Sequence, residues 1–157
     1  MDVSPRNEEE WQRLDRNLDE LLQELRIALP GVQVLFAFLL AVPFQRRFSE
    51  VTDFQESLYF VTLLLAASSM FLLMAPTAFH RLTFRKQQKE RILLLSNRLS
   101  IAGLATLSIA VIGALTLITD FLYSSTATVL VAAGSTIVAF LCWFLLPVMI
   151  RFKVRND

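Results

Sequence analysis

Residues 58–78 read LYFVTLLLAASSMFLLMAPTA, twenty-one positions without a charge. As a helix they rise about 31 Å, the thickness of the hydrocarbon core of a bilayer. A surface helix of this length needs a polar face, and none can be drawn here. The segment reads as a membrane span. It must be helical, because the bilayer core holds no water to satisfy free amides and carbonyls.

Working outward, residues 99–119 and 128–150 are also free of charge and long enough to cross. The stretch at 27–43, IALPGVQVLFAFLLAVP, is shorter and is interrupted by Pro30, Gly31 and Gln33. Seventeen residues rise only about 25 Å. Its crossing relies on the preceding helix running straight into it and on Phe44 extending the apolar end. Across the 157 residues the apolar share is 55% and the charged share 18%, against about 45–50% and about 25% in soluble domains. The excess sits in these four runs, and nearly all the charge sits between them.

Residues 1–26 are polar and acidic, without the basic start and apolar core of a cleavable signal peptide. Trp11, Leu14, Leu18, Leu21 and Leu25 step by three and four positions, which puts them on one seam of an amphipathic helix. Asn7 can cap its start, with Glu8, Glu9 and Glu10 in the first turn, where the helix dipole favours acids. Its polar face is negative: seven acids against three arginines between positions 8 and 26. Such a helix is a poor guest for an anionic leaflet. It is expected to pack on protein, either the basic loop of its own chain or a neighbouring copy.

Lysine and arginine set the threading. The N-terminal segment, the loop after the second span and the basic tail at 151–157 hold thirteen of them, and the other two loops hold two. Basic connections stay in the cytoplasm, so both termini are expected there. The resulting expectation is an all-α membrane protein. It comprises an N-terminal cytoplasmic amphipathic helix at 1–26, a four-helix transmembrane bundle at 27–150 and a short tail.

Few chemistries fit this composition. One histidine and one cysteine, His80 and Cys142, allow no His-based triad, zinc motif or disulfide, and no glycine-rich phosphate loop exists. No acid or base stands mid-span, where proton-coupled transporters usually place one. An enzyme is not expected, nor a cofactor or metal. A net charge of +1 gives nucleic acid no purchase.

Three segments carry what chemistry there is. Pro30, Gly31 and Gln33 read as a locally opened helix lining a polar path, because irregular backbone at membrane depth survives only where it is buried or wet. The plainer alternative is that the Gln33 amide bonds a neighbouring helix. Arg46, Arg47, Glu50 and Asp53 form a mixed-charge outer loop, either a pore mouth or a set of self-paired salt bridges. The run His80, Arg81, Arg85, Lys86 and Lys89 leads by a short helix into the third span, and is either an anionic-lipid or partner contact or a topology signal alone. Pro76 and Pro147 are expected to kink the second and fourth spans. Asp120 ends the third span as a cap or facing water. Small residues (Gly103, Thr106, Ala110 and Gly113 in span three; Ala127, Ser135 and Ala139 in span four) imply close helix packing and self-association.

The stretches ELLQELRIALPGVQVLFAFLLAVPFQRRF (20–48), DFQESLYFVTLLLA (53–66) and APTAFHRLTFR (75–85) resemble an uncharacterised family of small four-span membrane proteins of bacteria, frequent in actinobacteria and known as a domain of unknown function. The likeness covers roughly residues 18–122. It implies a bacterial cytoplasmic (inner) membrane and the same four-span plan, and brings no activity, ligand or catalytic residue. The functional expectation is a small homo-oligomeric channel or transporter-like protein for an ion or small solute. The alternative is a non-conducting scaffold that recruits a partner through its first helix and basic loop.

Overall fold

The structure is a computed structural model that describes residues 5–83, 89–123 and 125–145. Four long helices follow one another: α1 (Pro5–Ala41), α2 (Asp53–Thr83), α3 (Lys89–Leu122) and α4 (Ser125–Phe140), the last ending in one π-helical turn, Leu141–Leu145. All four are long and apolar enough to cross a membrane. Large side chains such as Phe38 and Phe71, each 71% exposed, stud the outer surface. Apolar surface on this scale belongs in lipid. This is a membrane protein.

The amphipathic N-terminal segment and the first span form a single helix. At 37 residues α1 is about 55 Å long, so its N-terminal part extends well past a 30 Å core. Among the described residues its buried positions are Leu18, Leu25, Val32 and Leu39. They recur every seven residues, which keeps one seam on a partner only if helices wrap left-handedly at a shallow angle. Leu25 and Val32 pack with Leu73, while Leu39 packs with Tyr59, Ala66 and Ala110, so the one seam feeds two stacked apolar clusters.

The most extensive interface joins α2 and α3. Thr62, Ala66, Ser69 and Leu73 of α2 are buried, as are Ser96, Ser100, Gly103, Ala110 and Ala114 of α3. A Cβ on Gly103 would lie 2.8 Å from Leu73 Cγ and 3.2 Å from Leu72 Cβ, and one on Gly113 would strike the Thr62 hydroxyl. Lipid is as apolar as leucine, so closeness rather than water exclusion must hold these helices together. Small residues make that closeness available.

Helix α4 sits differently. Among the described residues it touches α3 and neither α1 nor α2. The bundle is thus three helices in mutual contact with a fourth leaning on α3. Pro30 and Pro76 interrupt neither α1 nor α2; Pro147 lies outside the described residues. Most span hydroxyls bond the carbonyl four residues back in their own helix, as Thr62 does to Leu58, Ser100 to Ser96, Thr116 to Ile112 and Thr136 to Ala132. That leaves a short set of polar side chains reaching between elements.

Candidate functional site

Apart from Ser69, which bonds the Gly103 carbonyl midway along α2 and α3, those inter-element bonds gather where α1 ends and α2 begins, next to the end of α3. Pro43 stops α1, and two short 3-10 turns follow, Val42–Phe44 and Arg46–Glu50. Thr52 and Gln55 then bond reciprocally. The Gln55 amide N–H donates to Thr52 Oγ1 at 3.3 Å, and the Thr52 N–H donates to Gln55 Oε1 at 3.1 Å. This capping box starts α2. It also aims the Gln55 Nε2, which donates to Asp120 Oδ2 at 2.9 Å, while Thr128 Oγ1 donates to Asp120 Oδ1 at 3.3 Å. Asp120 therefore ties α2, α3 and α4 together, with a neutral donor on each carboxylate oxygen.

Beside this clamp lies an apolar cleft of about 240 Å³. Phe48, Tyr59, Leu117, Ile118, Phe121 and Leu122 line it, and Arg47 is its one charged lining residue. The Phe48 and Tyr59 rings meet edge to face, 5.3 Å apart at 75°. The Arg47 guanidinium stands over the Phe121 ring, 4.9 Å from its centre. Its contact with Glu50 is 3.7 Å long, with both side chains about two-thirds exposed. Exposed pairs of this kind contribute about 0–1 kcal/mol. Arg46 is exposed, and Asp53 stands in the first turn of α2, where the helix dipole accepts an acid. Of Arg46, Arg47, Glu50 and Asp53, Arg47 alone lines the cleft.

Gln33 lies about 10 Å along α1 from Arg26 and about 12 Å from Ala41, level with Val32 and its partner Leu73. Its side chain is exposed, and among the described residues its amide makes no hydrogen bond. The expected local opening of the helix is corrected: α1 runs unbroken through Pro30. Leu25 and Val32, buried on either side, hold it. The bond lost to Pro30 is that of the Arg26 carbonyl, at the polar edge of the span. Nor do the three residues share a face. Gly31 and Gln33 are two positions apart, about 200° around the helix. Gln33 shares its side with Pro30 and Ala37, whereas Gly31 stands in open space beside Ile27 and Phe38. No opened helix lines a path inside one chain.

A family model matches residues 7–147, taking in all four helices, the Asp120 clamp, the cleft and Gln33. The chain belongs to the DUF6328 family, a family of unknown function. No curated protein and no solved structure matches it.

At the opposite end of this DUF6328 member, α1 packs on the start of α3. Asn17, Glu20, Leu21 and Glu24 face Leu93, Leu94 and Asn97 across a groove of about 310 Å³. The groove is lined by leucines and amides as well as the two glutamates, and among the described residues no ion pair joins the two helices. Of the basic run, position 80 lies in α2, Arg81 is exposed near its end and Lys89 begins α3, while Arg85 and Lys86 lie outside the described residues. Asp120, expected as a cap or facing water, instead bonds Gln55 and Thr128 in a clamp that the sequence does not announce. Its one local signal is the Thr52-x-x-Gln55 spacing, which announces a helix start and says nothing of Asp120.

Proposed function

We propose that this protein is a homo-oligomer of a bacterial cytoplasmic membrane, with both termini cytoplasmic, that passes an ion or small solute along a path formed between its copies. The observation that carries this reading is the exposed Gln33 amide, midway between Arg26 and Ala41 in the apolar part of a membrane-spanning helix and, among the described residues, without a hydrogen bond. An amide left to face hydrocarbon costs several kcal/mol. Contact with a second copy, or with water in a shared lumen, removes that cost. The interior of one chain is filled by Leu25, Val32, Leu39, Ala66, Leu73 and Ala110, so a path has room only between chains. In this arrangement Arg46, Arg47, Glu50 and Asp53 stand at the outer mouth. The basic run from His80 to Lys89 meets anionic lipid on the cytoplasmic side, where thirteen of fifteen lysines and arginines lie. Protein reconstituted in liposomes is expected to pass a small ion or solute, and Gln33→Leu to change that flux. Flat traces for monovalent cations, anions and protons would remove the conducting reading.

The groove between α1 and α3 favours a second reading, a scaffold. Its Glu20 and Glu24 carboxylates offer a seat for a cationic segment of a partner. Glu20→Lys with Glu24→Lys is then expected to release a co-purifying protein while leaving the spans inserted.

A further inference from the structure

We infer that the cleft beside Asp120 is a binding site for one anionic phospholipid of the adjacent leaflet, an acyl chain lying between Tyr59, Leu117 and Ile118 and the phosphate held by Arg47. The inference does not depend on whether copies assemble or conduct.

Four observations carry it. The first is size: about 240 Å³ exceeds the roughly 150 Å³ of an apolar cavity that takes up benzene. The second is chemistry. The walls come from Val42, Phe48, Val51, Leu117, Phe121 and Leu122, with little polar surface exposed inside. Water in such a space finds almost no partners, whereas a methylene chain loses nothing by entering. The third is depth. Tyr59 stands six residues, about 9 Å, below the start of α2, and Leu117 about 5 Å below Asp120. The cleft therefore runs from the polar boundary into the zone of the upper acyl chains, with no need for a ligand to leave the membrane.

The fourth is charge. Arg47 is the sole charged residue of the lining, and its position over Phe121 fixes the guanidinium at the rim. Guanidinium matches phosphate with paired N–H donors, which gives it more than a point charge offers. Its present contact, Glu50 at 3.7 Å, is long and solvated, and a phosphate can displace it. Arg46, the neighbouring exposed cation, adds to the attraction, while Glu50 and Asp53 lie outside the lining.

The experiment is native mass spectrometry of the detergent-solubilised full chain, titrated with phosphatidylglycerol or phosphatidylcholine of identical acyl chains. One phosphatidylglycerol per chain is expected to survive delipidation, with phosphatidylcholine held more weakly. Ile118→Trp, which fills the cleft from an exposed position, and Arg47→Gln are each expected to lower phosphatidylglycerol affinity by about tenfold, the scale of one charge-assisted bond. Arg47→Lys falls between. Leu122→Phe supplies a second filling variant, and helical circular dichroism with monodisperse elution shows that each variant is folded. Equal retention of the two lipids, unchanged binding in folded Ile118→Trp and Leu122→Phe, or tighter binding of the free fatty acid than of the phospholipid would each overturn the site.

Discussion

The phenol of Tyr59 donates a buried hydrogen bond, 3.0 Å long, to the main-chain oxygen of Leu39. In an uninterrupted helix that oxygen accepts from the N–H four residues on. Here the residue four on is Pro43, which has none. The tyrosine of α2 thus replaces a donor that proline removed from α1, in a place where water cannot serve. Tyr59→Phe keeps the ring against Phe48 and orphans the carbonyl, so it is expected to cost about 2 kcal/mol, the penalty of an unsatisfied buried acceptor. Phe60→Leu, on the neighbouring lipid-facing position, is expected to change stability by under about 0.5 kcal/mol. Equilibrium unfolding in mixed micelles compares them. Equal losses would mean that the Leu39 oxygen has another partner.

Close approach and hydrogen bonding can be ranked at the α2–α3 interface. Ser69 donates to the Gly103 carbonyl at 2.8 Å, but that oxygen also lies in the helical ladder of α3. Ser69→Ala is therefore expected to cost only about 0.6 kcal/mol, the usual value of such a bond in membranes. Gly103→Ala drives a methyl into Leu73, which is fully buried and has no room to retreat. Overpacking of this kind costs about 1–3 kcal/mol. Thermal unfolding in detergent is expected to put Gly103→Ala well below Ser69→Ala.

Ser96 inverts the usual rule for polar residues. Its hydroxyl is fully buried and, among the described residues, has no hydrogen-bond partner. Removing an unpaired buried group relieves a desolvation cost. Ser96→Ala is expected to leave stability unchanged or raise it by up to about 1 kcal/mol, while Ser100→Ala, whose hydroxyl bonds the Ser96 carbonyl, gives no gain. A clear loss in Ser96→Ala would show that the hydroxyl is paired.

Asp120 holds α4 through Thr128 and α2 through Gln55. Among the described residues α4 touches only α3, and this clamp adds to that packing a tie that reaches α2 through Asp120. Asp120→Ala is expected to cost about 1.5 kcal/mol, at the low end for charge-assisted bonds because the group is partly exposed. Hydrogen exchange is expected to rise in the first turns of α4 while the α2–α3 interface stays protected. Uniform loss of protection would assign Asp120 to the whole fold instead.

The sequence makes some of this legible and hides the rest for physical reasons. Charge-free runs and the leucine seam are local, so residues 58–78 and the seven-residue spacing of Leu18 and Leu25 can be read directly. The small residues Gly103, Ala110 and Gly113 mark a packing face, and α2 does occupy it. Which helix covers which face is not local. Nothing in α4 states that, among the described residues, it meets α3 alone, and the partners of Asp120 include one 65 positions away. Pro30 misleads for the opposite reason. Propensity disfavours it within a helix, but packing of Leu25 and Val32 on both sides outweighs one lost bond.

Gln33 supplies the sharpest test of assembly. Ala37 lies one turn further along the same side of α1, so a thiol there samples whatever covers the amide without touching it. In a Cys142→Ala background, which removes the exposed native thiol, Ala37→Cys is expected to form a disulfide dimer in native membranes under mild oxidation. Phe71→Cys, on a lipid-facing part of α2, is expected to stay monomeric. Adding Gln33→Leu lets this face of α1 dissolve in lipid at no polar cost, so cross-linking at Ala37→Cys should fall several-fold; an inter-helix amide bond of about 1–2 kcal/mol corresponds to roughly 5–30-fold in association. Strong cross-linking that ignores Gln33→Leu would separate assembly from the amide and leave the path between copies without its one polar contact. An absence of any Ala37→Cys dimer would put Gln33 against lipid or another protein, and the homo-oligomer would fall.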